Sequence, residues 1–152
     1  MRRRRFLASA GTAGAAFLAG CLNDPGRAGG ILELYAADVP AAATVAQASD
    51  DRIRDVEPIV TGLDQVHREG DATSVVVTSD EYEAVADALA ALPWYDRLED
   101  EGEAMSGNYV RYDGATYVVV LTPICSDTRL WTAYAERGTY GWGGCFDYEG
   151  DR

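Results

Sequence analysis

Short β-branched runs alternate with segments whose apolar residues recur at helical spacing, and this alternation most limits the folds open to the chain. The run 31–35 predicts a first strand, and 43–46 predicts a short second piece. Pro58 is typical of the first turn of a helix, and Gly70 provides the stop for that helix. The first half of the chain therefore predicts two short strands followed by a helix.

A third strand and a second helix follow. Residues 73–77 form a compact β-branched run. Thr78 and Glu81 then have the spacing of a capping box, which begins a helix by satisfying its first N–H groups. Pro93 is expected to end that helix, because proline removes a donor and clashes with the preceding turn.

A β-hairpin is predicted next. The runs 108–112 and 115–121 are joined by Asp113 and Gly114, and an Asp-Gly pair favours a two-residue type I′ turn. Beyond the hairpin, residues 128–137 have the spacing of a short helix.

This order of elements predicts an α+β fold. We expect a small, mostly antiparallel sheet of about four strands with two helices on one face, and a C-terminal extension over 123–152. The chain has 152 residues, of which 47% are hydrophobic, enough for one core. Residues 31–152 are therefore expected to form a single domain.

Residues 1–20 have the composition of an export signal. Four arginines at positions 2–5 precede an Ala/Gly-rich stretch over 6–20, which is shorter than the roughly 20 residues of a membrane-spanning helix. The segment resembles the twin-arginine export signal, and its end is similar to the lipobox of prokaryotic lipoproteins. The export resemblance rests on Arg3, Arg4, Phe6 and Leu7, and the lipobox resemblance on Leu18, Ala19, Gly20 and Cys21.

The resemblance implies an address. It implies removal of 1–20 and a lipid on the Cys21 thiol, at the outer face of the cytoplasmic membrane. The Asn, Asp, Pro and Gly residues between 23 and 30 predict a flexible tether over 21–30 that holds the domain off the membrane. A short N-terminal anchor helix is the alternative interpretation of the same segment.

The charges divide along the same boundary. All 13 basic residues are arginine, and the chain has no lysine. After loss of 1–20 the body carries 25 acidic and nine basic residues, a formal charge of −16. This charge excludes a nucleic-acid partner, since it repels phosphate. Lysine-free, acidic composition resembles the proteins of extreme halophiles, in which multimolar salt screens carboxylate repulsion.

Cys125 and Cys145 are an even pair in an exported body, and we therefore expect a disulfide between them. Two buried free thiols are the alternative. His67 is the only histidine and falls near a predicted helix C-terminus, where the helix dipole favours it. With no Cys-x-x-Cys pair, no metal or cofactor site is expected.

Aromatic residues are concentrated in the last part of the chain. Trp131, Tyr140 and Trp142 lie in or near a glycine-rich segment and are the candidate binding residues, for a protein or carbohydrate ligand. Packing over one end of the sheet is the alternative. The sequence thus favours a lipid-anchored, non-enzymatic binding or envelope module without an assigned catalytic residue, and a carboxylate-dependent cell-surface hydrolase is the second hypothesis.

Overall fold

The computed structural model describes residues 27–97, 102–125, 129–132 and 144–147, with side chains at 29–97 and 102–125. The fold is α+β with two helices, as predicted. None of the described helices is long and apolar enough to cross a membrane. In chain order the elements are β1 (Arg27–Ala36), β2 (Val45–Gln47), α1 (Glu57–Glu69), β3 (Ala72–Val77), α2 (Ser79–Ala90), β4 (Asn108–Tyr112), β5 (Ala115–Cys125), β6 (Arg129–Thr132) and β7 (Gly144–Asp147).

Five strands form one mixed sheet in the order β2-β4-β5-β1-β3. The pairings β1–β3, β1–β5 and β4–β5 are antiparallel, whereas β2 runs parallel to β4. The expected sheet of about four strands is therefore too small. The fifth strand is β2, whose parallel partner lies far away in sequence, so no local turn marks the pairing.

The hairpin turn is confirmed. Asp113 has φ 46° and Gly114 has φ 82°, and a type I′ turn needs positive φ at both central residues. The register continues from this turn, with Tyr112 opposite Ala115 and Asn108 opposite Val119. The turn thereby fixes which face of β5 each side chain occupies.

Both helices begin as predicted. The Glu81 carboxylate accepts hydrogen bonds from the Thr78 N–H (3.0 Å) and hydroxyl (2.7 Å), and these bonds lower the pKa of Glu81. In α1, Gly62 packs closely on β1: a Cβ there would lie 2.6 Å from Cδ1 of Leu34, and this buried side chain would have to shift. The contact places α1 directly on β1.

The sheet has apolar side chains on both faces. Even-numbered residues of β1 and odd-numbered residues of β5 pack beneath the helices, whereas the opposite residues pack on the helix-free face. The buried residues on the helix-free face are Tyr95, Tyr109, Val118 and Val120. The central strands are thus covered twice, once by helices and once by loops.

The C-terminal part differs from the predicted helix over 128–137. Arg129–Thr132 forms β6, which pairs antiparallel with β7 in a separate two-stranded ribbon. A short isolated helix is marginal, whereas a paired strand satisfies its backbone groups on its partner. Residues 133–143 lie outside the described residues.

Asn108 provides a stability prediction. Its side chain is 1% exposed, and Nδ2 donates to the carbonyls of Leu89 (3.2 Å) and Pro93 (3.0 Å) at the end of α2. We expect Asn108→Ala to lower the free energy of unfolding by about 1–3 kcal/mol, because it removes the donor from buried carbonyls. Denaturant titration would measure this. The control is Arg111→Ala, an exposed position on the same strand, with an expected change within about 0.5 kcal/mol. Equal denaturant midpoints for the two variants would contradict a stabilising role for the Asn108 hydrogen bonds.

Candidate ligand-binding clefts

Two adjoining clefts lie on the helix-free face of the sheet. The larger, of about 740 Å³, lies between residues 36–41 and 102–105, with Tyr109 also in its lining. The smaller, of about 300 Å³, is lined by the sheet residues Glu33, Tyr35 and Val120 and by Arg97, Ser106 and residues 103–105. Both clefts contain residues 103–105, so one segment forms a wall of each.

Backbone pairing holds this wall in place. Tyr95 and Gly107 exchange two hydrogen bonds, each of 3.0 Å, and thereby close the loop between them. Inside the loop, the Arg97 N–H donates to the Ser106 hydroxyl at 3.0 Å. The wall is therefore fixed where it leaves and rejoins the sheet.

Aromatic contacts attach the same wall to β4. The rings of Tyr95 and Tyr109 meet edge to face with centroids 5.6 Å apart. The Tyr109 hydroxyl donates to the Met105 carbonyl at 2.9 Å. These contacts hold Met105, which is itself exposed, at the point where the two clefts join.

Glu33 and Tyr35 form the polar floor of the smaller cleft. The Tyr35 hydroxyl donates to Oε1 of Glu33 at 2.7 Å. Burial, followed by this hydrogen bond and the Glu33 charge, raises the pKa of Tyr35 to about 12. Tyr35 therefore remains a neutral donor, and it orients the carboxylate as an acceptor.

The described cleft lining carries more negative than positive charge. Glu33, Asp38 and Glu103 contribute carboxylates, and Arg97 contributes one guanidinium. Carboxylates accept hydrogen bonds and attract cations. The lining therefore suits ligands rich in O–H or N–H donors.

His67 lies away from both clefts. Its Nδ1 is 3.0 Å from the Tyr117 hydroxyl, and its Nε2 is 3.2 Å from Oδ2 of Asp113. Neither cleft includes His67 in its lining. The imidazole thus connects the C-terminal end of α1 to the β4–β5 hairpin, which is more than the surface position predicted for it.

The predicted site residues fall largely outside the described part of the chain. The backbone of Trp131 lies in β6 and that of Cys145 in β7, but their side chains are outside the described residues. Cys125 ends β5. Within the described residues, no three Asp, Glu, His or Cys side chains are grouped as a metal site would require. The predicted residues wholly outside the described part are Arg3, Arg4, Phe6, Leu7, Cys21, Tyr140 and Trp142.

The cleft residues were not predicted from the sequence. The alternation Leu32-Glu33-Leu34-Tyr35 assigns Glu33 and Tyr35 to the face opposite the buried leucines, which is a detectable signal. Residues 102–106 carry no such pattern. They reach the same place only because the Tyr95–Gly107 pair folds the loop back.

The comparisons with known proteins give no relative. No protein family matches the chain, and no curated protein or solved structure is similar enough to be counted as a match.

The Tyr35–Glu33 pair generates a pH prediction. The pKa of Tyr35 is about 12 in the folded protein against 10.0 for an ordinary tyrosine. Its contribution to stability is therefore present below about pH 10 and is lost as the pH rises through about 12. We expect Tyr35→Phe to reduce this alkaline loss. Part of the loss remains, because burial also raises the pKa of Tyr117. The free energy of unfolding of both proteins would be measured between pH 10 and pH 12. An identical decrease with pH in the unmodified protein and in Tyr35→Phe would refute the prediction.

Proposed function

We propose that this protein is a lipid-anchored, extracytoplasmic binding domain, and that its ligand occupies the clefts on the helix-free face. The ligand class is a small molecule rich in hydrogen-bond donors, such as a carbohydrate or an amine. A protein that presents such donor groups at its surface is the alternative ligand for the same clefts. The domain is held at the outer face of the cytoplasmic membrane through Cys21.

One observation carries the binding proposal. Loops rather than helices cover one face of the sheet, and they leave two joined clefts of about 740 and 300 Å³ with Glu33, Asp38 and Glu103 in their lining. Small-ligand sites typically combine this size with a few fixed polar groups on an apolar lining. The Tyr35–Glu33 hydrogen bond supplies one such fixed group.

The anchor proposal rests on the N-terminal sequence alone. Arg3, Arg4, Phe6 and Leu7 match the export pattern, and Cys21 ends the lipobox-like segment. β1 begins at Arg27, so residues 27–30 belong to the sheet and not to the predicted tether, and few residues separate the proposed lipid from the sheet. The acidic, lysine-free composition supports a high-salt habitat, because multimolar salt screens the repulsion between carboxylates.

Cys21→Ser tests the anchor. Without the thiol there is no lipid acceptor, so we expect the exported protein to move from the membrane fraction to the medium. Fractionation followed by immunodetection would show this. Ser49→Ala serves as the control, since it changes an exposed residue of the body and should leave the protein in the membrane fraction. Unchanged membrane association of Cys21→Ser would refute the lipid anchor.

The cleft proposal is tested with defined probes. Neutral oligosaccharides and simple alkylamines would be titrated against the protein in multimolar salt, with binding followed by NMR shifts and calorimetry. Glu33→Gln keeps the shape of the side chain but removes the charge, and we expect it to weaken binding about tenfold or more. Asp87→Asn is the control, because it removes an equal charge from an exposed position on α2. No binding of either probe class, or equal losses in both variants, would refute the site.

A carboxylate-dependent hydrolase is the second candidate. Glu33 and Glu103 line the same cleft, and a pair of carboxyl groups is the catalytic minimum for glycoside hydrolysis. In this case Glu103→Gln should abolish turnover of a chromogenic glycoside while binding persists. Binding without turnover in the unmodified protein would favour the binding domain.

We also propose the disulfide between Cys125 and Cys145. It is supported by the position of Cys125 at the end of β5 and by the close approach of β7, which contains Cys145, to β5. Closing this loop would stabilise the fold by about 3 kcal/mol in the chain-entropy model.

A further inference from the structure

Strand β3 lies at one edge of the five-stranded sheet, and no described strand pairs with its outer side. Its sequence, Ala-Thr-Ser-Val-Val-Val, has no charge and no proline. Natural edge strands usually carry a charge, a proline or a bulge, or are very short, which prevents pairing with other chains. β2, at the opposite edge, has only three residues. β3 is the longer of the two edges and lacks these protective features.

The register shows which backbone groups face outwards. The Ala36 N–H donates to the Asp71 carbonyl at 2.8 Å, so Asp71 directs its main-chain groups towards β1. These directions alternate along an antiparallel strand. The main-chain N–H and C=O groups therefore point towards β1 at Thr73, Val75 and Val77. At three other residues these groups point away from β1. These residues are Ala72, Ser74 and Val76.

We propose that β3 pairs with β3 of a second copy of this chain, antiparallel, around a two-fold axis at Ser74. In this register Ser74 lies opposite Ser74 of the second copy, and Ala72 lies opposite Val76. All six outward N–H and C=O groups of each strand are then paired. The two five-stranded sheets become one continuous sheet, with the helices of both copies on the same face.

Side chains and charge favour a second copy as the occupant. Val76 is 72% exposed and lies beside Ile31, which is also exposed, on the helix-free face. Pairing places Val76 across from the small Ala72 of the other copy, so apolar surface on both is covered.

Like charges do not meet across the axis. Asp71 lies opposite Val77 and Gly70 opposite Thr78, so a strongly acidic body can approach its copy along an uncharged strip. Repulsion between the two acidic bodies remains, and multimolar salt screens it. The dimer should therefore weaken as salt is removed.

Site-specific cross-linking tests the register. The full chain would carry Cys21→Ser throughout, so that no lipid is present. In the proposed register Ser74→Cys brings two Cα atoms to about 5.5 Å, within the range of a disulfide. Ala72→Cys is the matched control, exposed on the same strand and face, and its two copies lie about 14 Å apart. We expect oxidation to give a covalent dimer of Ser74→Cys alone.

Sedimentation in multimolar salt tests the contact. We expect a concentration-dependent dimer. Ser74→Pro removes one outward N–H group from each copy and should raise the dissociation constant of the dimer about tenfold or more. Proline should leave the sheet intact, because the Ser74 N–H is not used by β1; circular dichroism would check this. Val76→Lys provides a second disrupting variant that keeps the backbone. A monomer at all concentrations, or equal cross-linking of both cysteine variants, would overturn the proposal.

Discussion

Burial of both faces of the central strands is the constraint on which the rest of this structure depends. Residues Tyr117 to Leu121 of β5 are all buried, so neither face of this strand can be left to solvent. The two helices cover one face through Leu34 and its neighbours. The other face is covered by loops, which must be fixed by their own hydrogen bonds because they have no regular structure. The Tyr95–Gly107 pair and the Tyr109–Met105 bond provide this fixation.

This unequal covering explains where the clefts lie. Helices pack closely on a sheet, whereas two loop segments approaching from different directions leave gaps between them. Glu33 and Tyr35 point into one such gap and hydrogen-bond to each other there. A carboxylate in a partly buried place needs a donor, and Tyr35 supplies it within the same strand. The proposed binding site is thus a consequence of how the second face is covered.

The acidity of the chain and the exposure of the β3 edge together limit which surfaces can meet a second copy in the proposed dimer. β3 is uncharged along its whole length, as are β2 and β5, but among the described strands only β3 combines this with an edge position and a length of more than three residues. The two sheet edges differ, since β2 is too short to offer a continuous ladder while β3 offers three outward residues. In multimolar salt, repulsion between acidic surfaces is weak, and backbone hydrogen bonding and apolar contact then decide which surfaces meet. In the proposed dimer, β3 is the uncharged strip along which the two acidic bodies approach each other.

The sequence by itself determined the local elements. The Asp-Gly turn at position 113, the capping pair of Thr78 and Glu81, and Pro58 in the first turn of α1 all act within a few residues, where steric and hydrogen-bonding preferences are strong. Only the tertiary structure decided three other features. These are the pairing of β2 with β4, the strand at 129–132, and the position of Glu33 beside residues 103–106. Each joins segments distant along the chain, so its free energy comes from contacts that no local pattern encodes.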